Sequence, residues 1–290
     1  AFVLAINHFI KTKRKSQNYD WYIQSYTGDI GLEDQYHLYE NYPDRFLEGP
    51  AMGDITLSES VLYYYDFFRN KKMNIVTSDC GLSPAEVWQS KDKNITREKQ
   101  MLKIFYGQLI TAFGVLDKGG NLFMKSYSTF TPFSVSFIYL MCCFFKRVKL
   151  VKPVSSRYPG GNEIYYLCED FIEIIDEDVF YKLTGILHTW EDNTFSKNIT
   201  SYAKMDKELL KNIQDQMSIF YQKRLDDLKE KEEIYEELLG TTDDMIEDPV
   251  RYLTEMKQLE KISDRQTIRF ANNYIKKMKY QRIKREDRLL

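Results

Sequence analysis

The chain has 290 residues and a formal net charge of −2, with 43% hydrophobic and 29% charged residues. This is enough apolar material for one large core, or for a domain with an appendage. The near-neutral balance excludes a polycationic nucleic-acid binder, so any nucleic-acid contact has to come from local basic patches.

Residues 1–10 carry apolar side chains at helical spacing and open without a capping residue, followed by a basic cluster, Lys11–Lys15. Trp21–Tyr26 reads as a strand, and residues 27–53 are polar and turn-rich. Leu57–Asn70 predicts a helix with Thr56 or Ser58 as its cap. Asn74–Ser78 is a short apolar run that predicts a buried strand, ending in Asp79-Cys80-Gly81. A loop is expected over 82–95, then a long helix over Thr96–Leu116 with its apolar stripe at 101, 104, 105, 109, 112, 113 and 116. Asp117–Gly120 reads as its stop signal, and Asn121–Ser126 as a strand. Pro132–Phe145 predicts a buried helix with Thr131 as N-cap and Pro132 in the first turn. It is too short to span a bilayer, which takes about 20 residues, and no membrane association is expected. Arg147–Lys152 and Ile164–Cys168 read as strands joined by a Pro-Gly-Gly loop.

Strands alternating with helices predict an α/β fold: a mostly parallel, doubly wound Rossmann-like sheet, with the last two strands as an antiparallel edge hairpin. The pattern changes after about residue 172. Met205–Leu239 carries a helical apolar stripe, Gly240–Pro249 is acidic and turn-forming, and further helices are expected over Val250–Ile262 and Thr267–Arg285. The last ends in a basic run from Lys276 to Arg288. The division expected is therefore an α/β domain over 1–170 and an α-helical appendage over 171–290.

The four cysteines (Cys80, Cys142, Cys143, Cys168) have neither zinc spacing nor the density of a disulfide framework. Cys142 and Cys143 lie in the apolar run, where buried free thiols are expected. A reducing compartment follows, and the Asn-x-Thr triplets at Asn94 and Asn198 are then incidental. His8, His37 and His188 are scattered and form no metal-ligand pattern.

Asp79, Lys125 and Glu163 each fall at or beside a strand end, where open α/β sheets bind ligands. A lysine between two carboxylates can serve as a base if its proton is shared or its pKa lowered; the same residues could equally be an ion-pair cluster closing the sheet. Asp54, in Gly53-Asp54-Ile55-Thr56, suits a ribose hydroxyl or a base amino group, or equally a helix cap. Lys152, Ser155 and Arg157, with Lys146, Arg147 and Lys149 nearby, suit phosphate oxygens or form a solvated basic edge.

Residues 1–170 resemble the FtsJ-like S-adenosylmethionine-dependent RNA 2′-O-methyltransferases, and within them the cap-specific mRNA enzymes. The resemblance rests on the string from Gly119 to Arg157 with Phe-Thr-Pro-Phe-Ser-Val at 130–135, on Gly-Asp-Ile-Thr at 53–56, and on Ser-Asp-x-Gly at 78–81. It implies a Lys-Asp-Lys-Glu tetrad in which Asp79, Lys125 and Glu163 are the last three members, with Lys125 the base for the ribose 2′-hydroxyl. It implies an adenosine site at Asp54 and Ile55, with Asp79 beside it, and RNA as partner through Lys152, Ser155 and Arg157. The family's Gly-rich cofactor loop would end at Ala1-Phe2 and the first tetrad lysine would lie further upstream, so the chain is expected to be the carboxyl part of a longer protein. Cap-1 formation on mRNA is the expected activity; the alternatives are 2′-O-methylation of ribosomal or transfer RNA, or an inactive RNA- or partner-binding subunit. A cytoplasmic location is expected, in the host cytoplasm or virion for a viral source, with the nucleus the alternative for a cellular one. The helical region is expected to contact RNA, a protein partner or the upstream segment, or to be solvated.

Overall fold

In a computed structural model the protein is described over residues 2–14, 19–26, 36–81, 97–127, 129, 131–152, 163–191, 194, 197 and 199–239, and at isolated positions between 254 and 276. The elements are α1 (Phe2–Lys13), β1 (Ile23–Gln24), α2 (Leu38–Asn41), β2 (Phe46–Leu47), α3 (Ser58–Phe67), β3 (Met73–Ser78), α4 (Arg97–Val115), β4 (Leu116–Ser126), α5 (Pro132–Phe144), β5 (Phe145–Val151), β6 (Ile164–Phe171), α6 (Glu177–His188) and α7 (Lys207–Leu239). These residues fall into two compact units, one within 1–151 and 164–206, the other within 152–163 and 207–281.

The strands of the first unit form a parallel pair, β1–β2, and a four-stranded sheet in the order β3-β4-β6-β5. β3 and β4 are parallel, and β6 runs antiparallel to both β4 and β5. This is a mixed α/β sheet with helices packed on it and the expected antiparallel hairpin at its edge. The hairpin's second strand inserts between β4 and β5.

Strand alternation divides β4 between two environments. Leu122, Met124 and Ser126 are buried, whereas Phe123 and Lys125 point to the opposite face and are half-buried. On that face the Phe123 ring meets the edge of Phe2 at the start of α1 and stacks on Tyr165 of β6, with centroids 5.5 Å and 4.7 Å away. The core is aromatic: Phe113 of α4 packs on Phe144, Phe145 and Phe171. Such rings bury large areas in preferred offset or edge geometries.

α5 starts as its sequence predicts. The Thr131 hydroxyl accepts the Ser134 N–H at 3.2 Å, and Pro132 occupies the first turn. The buried carboxylate of Glu98 adds to this start, accepting the Thr131 N–H at 2.9 Å and the Ser134 hydroxyl at 2.6 Å. An anion there also complements the helix dipole.

Several expectations change. The strand expected over Trp21–Tyr26 shrinks to Ile23–Gln24. α3 has Leu57 at its N-cap, without a side-chain cap bond, in place of Thr56 or Ser58. Asp117–Gly120 does not separate helix from strand, because β4 starts at once at Leu116. The extra residues form an irregularity in the ladder, where pairing jumps from Met73↔Leu116 to Ile75↔Asn121 and Gly119 takes φ +78°. Cys143 is exposed and Cys142 only partly buried, since α5 turns that side away from the core; Cys168 is buried. β3 lies where predicted, but Asn74 and Ile75 are exposed, because β3 is the edge of its sheet. The readings over 82–95 and 240–249 fall outside the described residues. Among the described residues no helix is long and apolar enough to cross a membrane, and no group of His, Cys, Asp and Glu could hold a metal ion.

α6 belongs to the core of the first unit. Its Phe180 is fully buried and stacks on Tyr65 of α3 at 4.2 Å, while Tyr106 of α4 donates to the Leu183 carbonyl at 2.9 Å. Gly114 makes room, since a Cβ there would lie 2.8 Å from the Phe180 ring. Phe180→Ala is therefore expected to destabilise the unit by about 3–5 kcal/mol, read as a lowered urea midpoint in equilibrium unfolding.

Candidate active site

The site is assembled by two registers. β3 and β4 run parallel with Ser78 opposite Met124, so the next residues, Asp79 and Lys125, emerge side by side. The Lys125 Nζ lies 3.2 Å from Asp79 Oδ1; Lys125 is 16% exposed and Asp79 45%. On the other side β6 pairs with β4 so that Tyr165 stands opposite Lys125, and directly opposite residues share a face. The Tyr165 hydroxyl donates to Asp79 Oδ1 at 3.4 Å. The buried Tyr127 ring lies 5.7 Å from the ammonium, within reach of a cation–π interaction. Gly81 adjoins the ammonium: a Cβ there would come 3.3 Å from the Tyr127 hydroxyl and 4.0 Å from Nζ.

Gln108 of α4 clamps the end of β3. Its Oε1 accepts the Ser78 hydroxyl and, at 3.1 Å, the Cys80 N–H. Both bonds sit in buried or half-buried surroundings, where an unmet partner is costly. Gln108 was invisible in the sequence reading, because a single polar residue within the α4 stripe has no periodic signature. Tyr127 and Tyr165 were missed for a similar reason in a chain with 22 tyrosines.

Asp54 forms the turn before α3: its Oδ1 accepts the Thr56 N–H at 2.8 Å. Its charge also reaches the site, since Asp54, Asp79 and Lys125 all act on the Cys80 thiol. Desolvation pushes that thiol's pKa up and outweighs the pull of Lys125, so Cys80, although it touches solvent, is no activated nucleophile. Ile55 is buried, and its carbonyl abuts Gly107, where a Cβ would fall 2.0 Å from the oxygen. Only glycine allows α4 to approach the 54–56 turn so closely.

The structure thus brings together Asp79 and Lys125, with Asp54 near enough to act on Cys80. Phe2 sits on Phe123 of the same strand as Lys125. Glu163 directly precedes β6, and its backbone carbonyl accepts from Lys152 Nζ at 2.7 Å. Ala1, Ser155 and Arg157 lie outside the described residues. The neighbouring basic edge is largely compensated across the hairpin: Lys146 pairs with Asp170 at 2.8 Å, and Arg147 and Lys149 pair with Glu169 at 3.1 and 2.7 Å. Lys149 and then Arg147 hold the Glu169 carboxyl below its ordinary pKa. β5 is therefore not the open cationic strip that its sequence suggests.

Residues 23–171 match the family of FtsJ-like methyltransferases, and the chain belongs to that family. Over 198 residues it is 29% identical to a protein of African swine fever virus (isolate Warthog/Namibia/Wart80/1980) named a probable methyltransferase, covering 62% of this chain and 45% of that protein. Over 159 residues it is 35% identical to the Bos taurus cap-specific mRNA (nucleoside-2′-O-)-methyltransferase 1, covering 51% of this chain and 18% of that protein. A ribosomal RNA methyltransferase structure from Plasmodium falciparum aligns at 17% identity with a TM-score of 0.36, over 57% of this chain and 78% of that one. The chain spans less than half the length of these curated relatives.

Replacing Gln108 by Ala removes the acceptor for both the Ser78 hydroxyl and the Cys80 N–H. Loss of such a buried acceptor costs about 1–3 kcal/mol, so the Cys80 amide is expected to exchange about 10–100-fold faster with deuterium, while the centre of β4 keeps its protection.

Proposed function

We propose that the chain carries the catalytic half of an S-adenosylmethionine-dependent RNA 2′-O-methyltransferase that acts on the 5′ cap of mRNA. The observation that carries this reading is the Lys125–Asp79 ion pair at the carboxyl ends of adjacent parallel strands. The 35% identity to a cap-specific enzyme supports the choice of substrate.

Lys125 is the group for the ribose 2′-hydroxyl: once its own extra proton has passed to Asp79 or solvent, the neutral Nζ accepts the hydroxyl proton as the oxygen becomes a nucleophile. Asp79 orients the ammonium and shares its charge, and Tyr165 holds Asp79. Glu163, directly before β6, completes the set in this reading. The residues present fit the cofactor: Asp54 and Asp79 supply carboxylates to one region, as ribose hydroxyls and a sulfonium require. Asp54 and Ile55 would hold the adenosine end, and Ala1 and Phe2 the methionine end. Bound there, S-adenosylmethionine would supply the methyl group as an electrophile. Lys152, Ser155 and Arg157 would take phosphate oxygens of the RNA. Residues 1–170 form the methyltransferase domain in this reading, with α6 packed on its helices, and 171–290 a helical region available to RNA or a partner protein. For a viral source this reading puts the protein in the host cytoplasm or virion, and for a cellular source the nucleus is the alternative.

The test is methyl transfer from labelled S-adenosylmethionine to a short capped RNA, with uncapped RNA alongside and the product mapped to a 2′-oxygen. Cap-dependent transfer is expected; equal transfer to uncapped RNA would move the substrate to ribosomal or transfer RNA. Since a positioned base contributes about 10²–10⁴-fold in rate, Lys125→Ala should lower transfer by at least that much and leave S-adenosylmethionine affinity nearly unchanged. Retained activity in that variant overturns the assigned role.

A further inference from the structure

The near-neutral charge of the whole chain hides a local imbalance in the helical region. Every described position between 254 and 276 is helical and exposed, and every charged residue among them is a cation: Lys257, Lys261, Arg265, Arg269 and Lys276. The first four follow at intervals of four, the spacing that puts side chains on one helix face. The acids of the same stretch, Glu255, Glu260 and Asp264, are not among the described positions. Residues four apart on a helix are separated by about 6 Å along its axis, and Lys257 to Arg269 spans about 18 Å. Neighbouring cations thus lie within the screening length of about 8 Å at physiological salt, so their fields add.

A solvated helix face usually mixes its signs, and α7, in the same unit, does so. Lys211 pairs with Asp215 at 2.6 Å, Gln222 donates to Asp226 at 2.8 Å, and Lys223 and Lys229 are exposed alongside Glu232 and Glu233. The cations of β5 are likewise matched by Glu169 and Asp170. Among the described residues, none of the five cations from Lys257 to Lys276 has a carboxylate within ion-pair distance. Like charges at i,i+4 work against a helix, and Lys257–Lys261, Lys261–Arg265 and Arg265–Arg269 are three such pairs in succession. A polyanion laid along the face turns that repulsion into attraction.

The rest of the face says which polyanion. A membrane-surface helix sets a broad apolar face beside its cations. Among the described positions here, Ile268, 60% exposed, is the single large apolar side chain. Thr254, Asn272 and Asn273 are polar groups of the kind that donate to phosphate and sugar oxygens. Lys152, a phosphate ligand in the RNA reading, belongs to the same unit. One line of cations suits one backbone, and no aromatic ring is described on this face to stack on bases.

We propose that Lys257, Lys261, Arg265, Arg269 and Lys276 form a docking face for the phosphate backbone of single-stranded RNA, apart from the catalytic residues and indifferent to sequence. This rests on the reading of RNA as substrate and adds to it: the face holds the body of the transcript, and holds it by charge.

The experiment titrates the 290-residue chain against a short labelled single-stranded RNA, capped and uncapped, at increasing sodium chloride, with binding read by fluorescence anisotropy. The triple variant Lys261→Gln, Arg265→Gln, Arg269→Gln removes three contacts and keeps good helix formers at exposed positions. Each phosphate contact on a single strand contributes about −0.7 to the slope of log affinity against log salt. The slope should therefore flatten by about 2, and affinity at about 0.1 M salt should fall about 100-fold, equally for capped and uncapped RNA and for any sequence. The charge-preserving variant Lys261→Arg, Arg265→Lys, Arg269→Lys should bind as the parent chain does. An unchanged slope in the glutamine variant overturns the proposal. So does an equal loss in the charge-preserving variant, which would make the fold of the helix and not its charge responsible. A loss confined to capped RNA overturns it too, as does a loss of binding to vesicles rich in phosphatidylserine while RNA binding persists, which would give the face to a lipid surface. Methyl transfer is not read in any arm. A chain that docks RNA through this face yet transfers no methyl group keeps the face and loses the catalytic reading; transfer with an unchanged slope does the reverse.

Discussion

The parallel ladder between β3 and β4 is the constraint on which the candidate site depends. Because Ser78 lies opposite Met124, the residues just beyond meet at one height, and Asp79 and Lys125 form their ion pair there. Side chains alternate along a strand, so a slip of one residue in β4 would turn Lys125 and Phe123 into the buried layer in place of Leu122 and Met124. The irregularity at Asp117–Gly120 absorbs the extra residues before the register matters, and Gly119 supplies the left-handed backbone it needs. Gln108 then ties the end of β3 to α4, so the helix that carries the aromatic core also fixes the height of Asp79.

That arrangement separates support from chemistry. Phe113, Phe144, Phe145 and Phe171 make an apolar block under one face of the sheet, and Phe180 extends it to α6. The other face carries Phe123 and Lys125, half-buried, and the buried Tyr165, with Phe2 of α1 against Phe123. The charged residues follow the same logic. Exposed pairs such as Lys146–Asp170 and Arg147–Glu169 contribute little to stability, but they cancel a basic strip that would otherwise compete for phosphate. Lys125 lies instead between the Asp79 carboxylate and the Tyr127 ring.

β3 links the site to a cleft between the two sheets. Its carboxyl end holds Asp79 in a well-tied position, while its other edge faces that cleft. Among the described residues β3 pairs with β4 alone, so its hydrogen bonding is half complete.

Much of this was legible in the sequence, and the reason is local. Helical periodicity placed α4 and α5, the Thr-Pro start and the long apolar run placed the α5 cap, and the motifs around Ser78–Gly81 and Gly119–Arg157 carried the family. Asp79 and Lys125 could be singled out because acids and lysines at the ends of apolar runs are seldom there for packing. Other features depend on elements far apart in the chain and had no local signature. The pairing of Arg147 and Lys149 with Glu169 needs the hairpin register, the clamp by Gln108 needs α4 laid against β3, and Tyr165 acquires its role only by standing opposite Lys125. The exposure of Ile75 was the reverse case: its sequence asks for burial, and only the tertiary arrangement reveals that nothing described here covers it. Local propensity and pattern determined which segments are helices and strands and which residues were candidates; the sheet register, being a relation between strands, decided which of them meet.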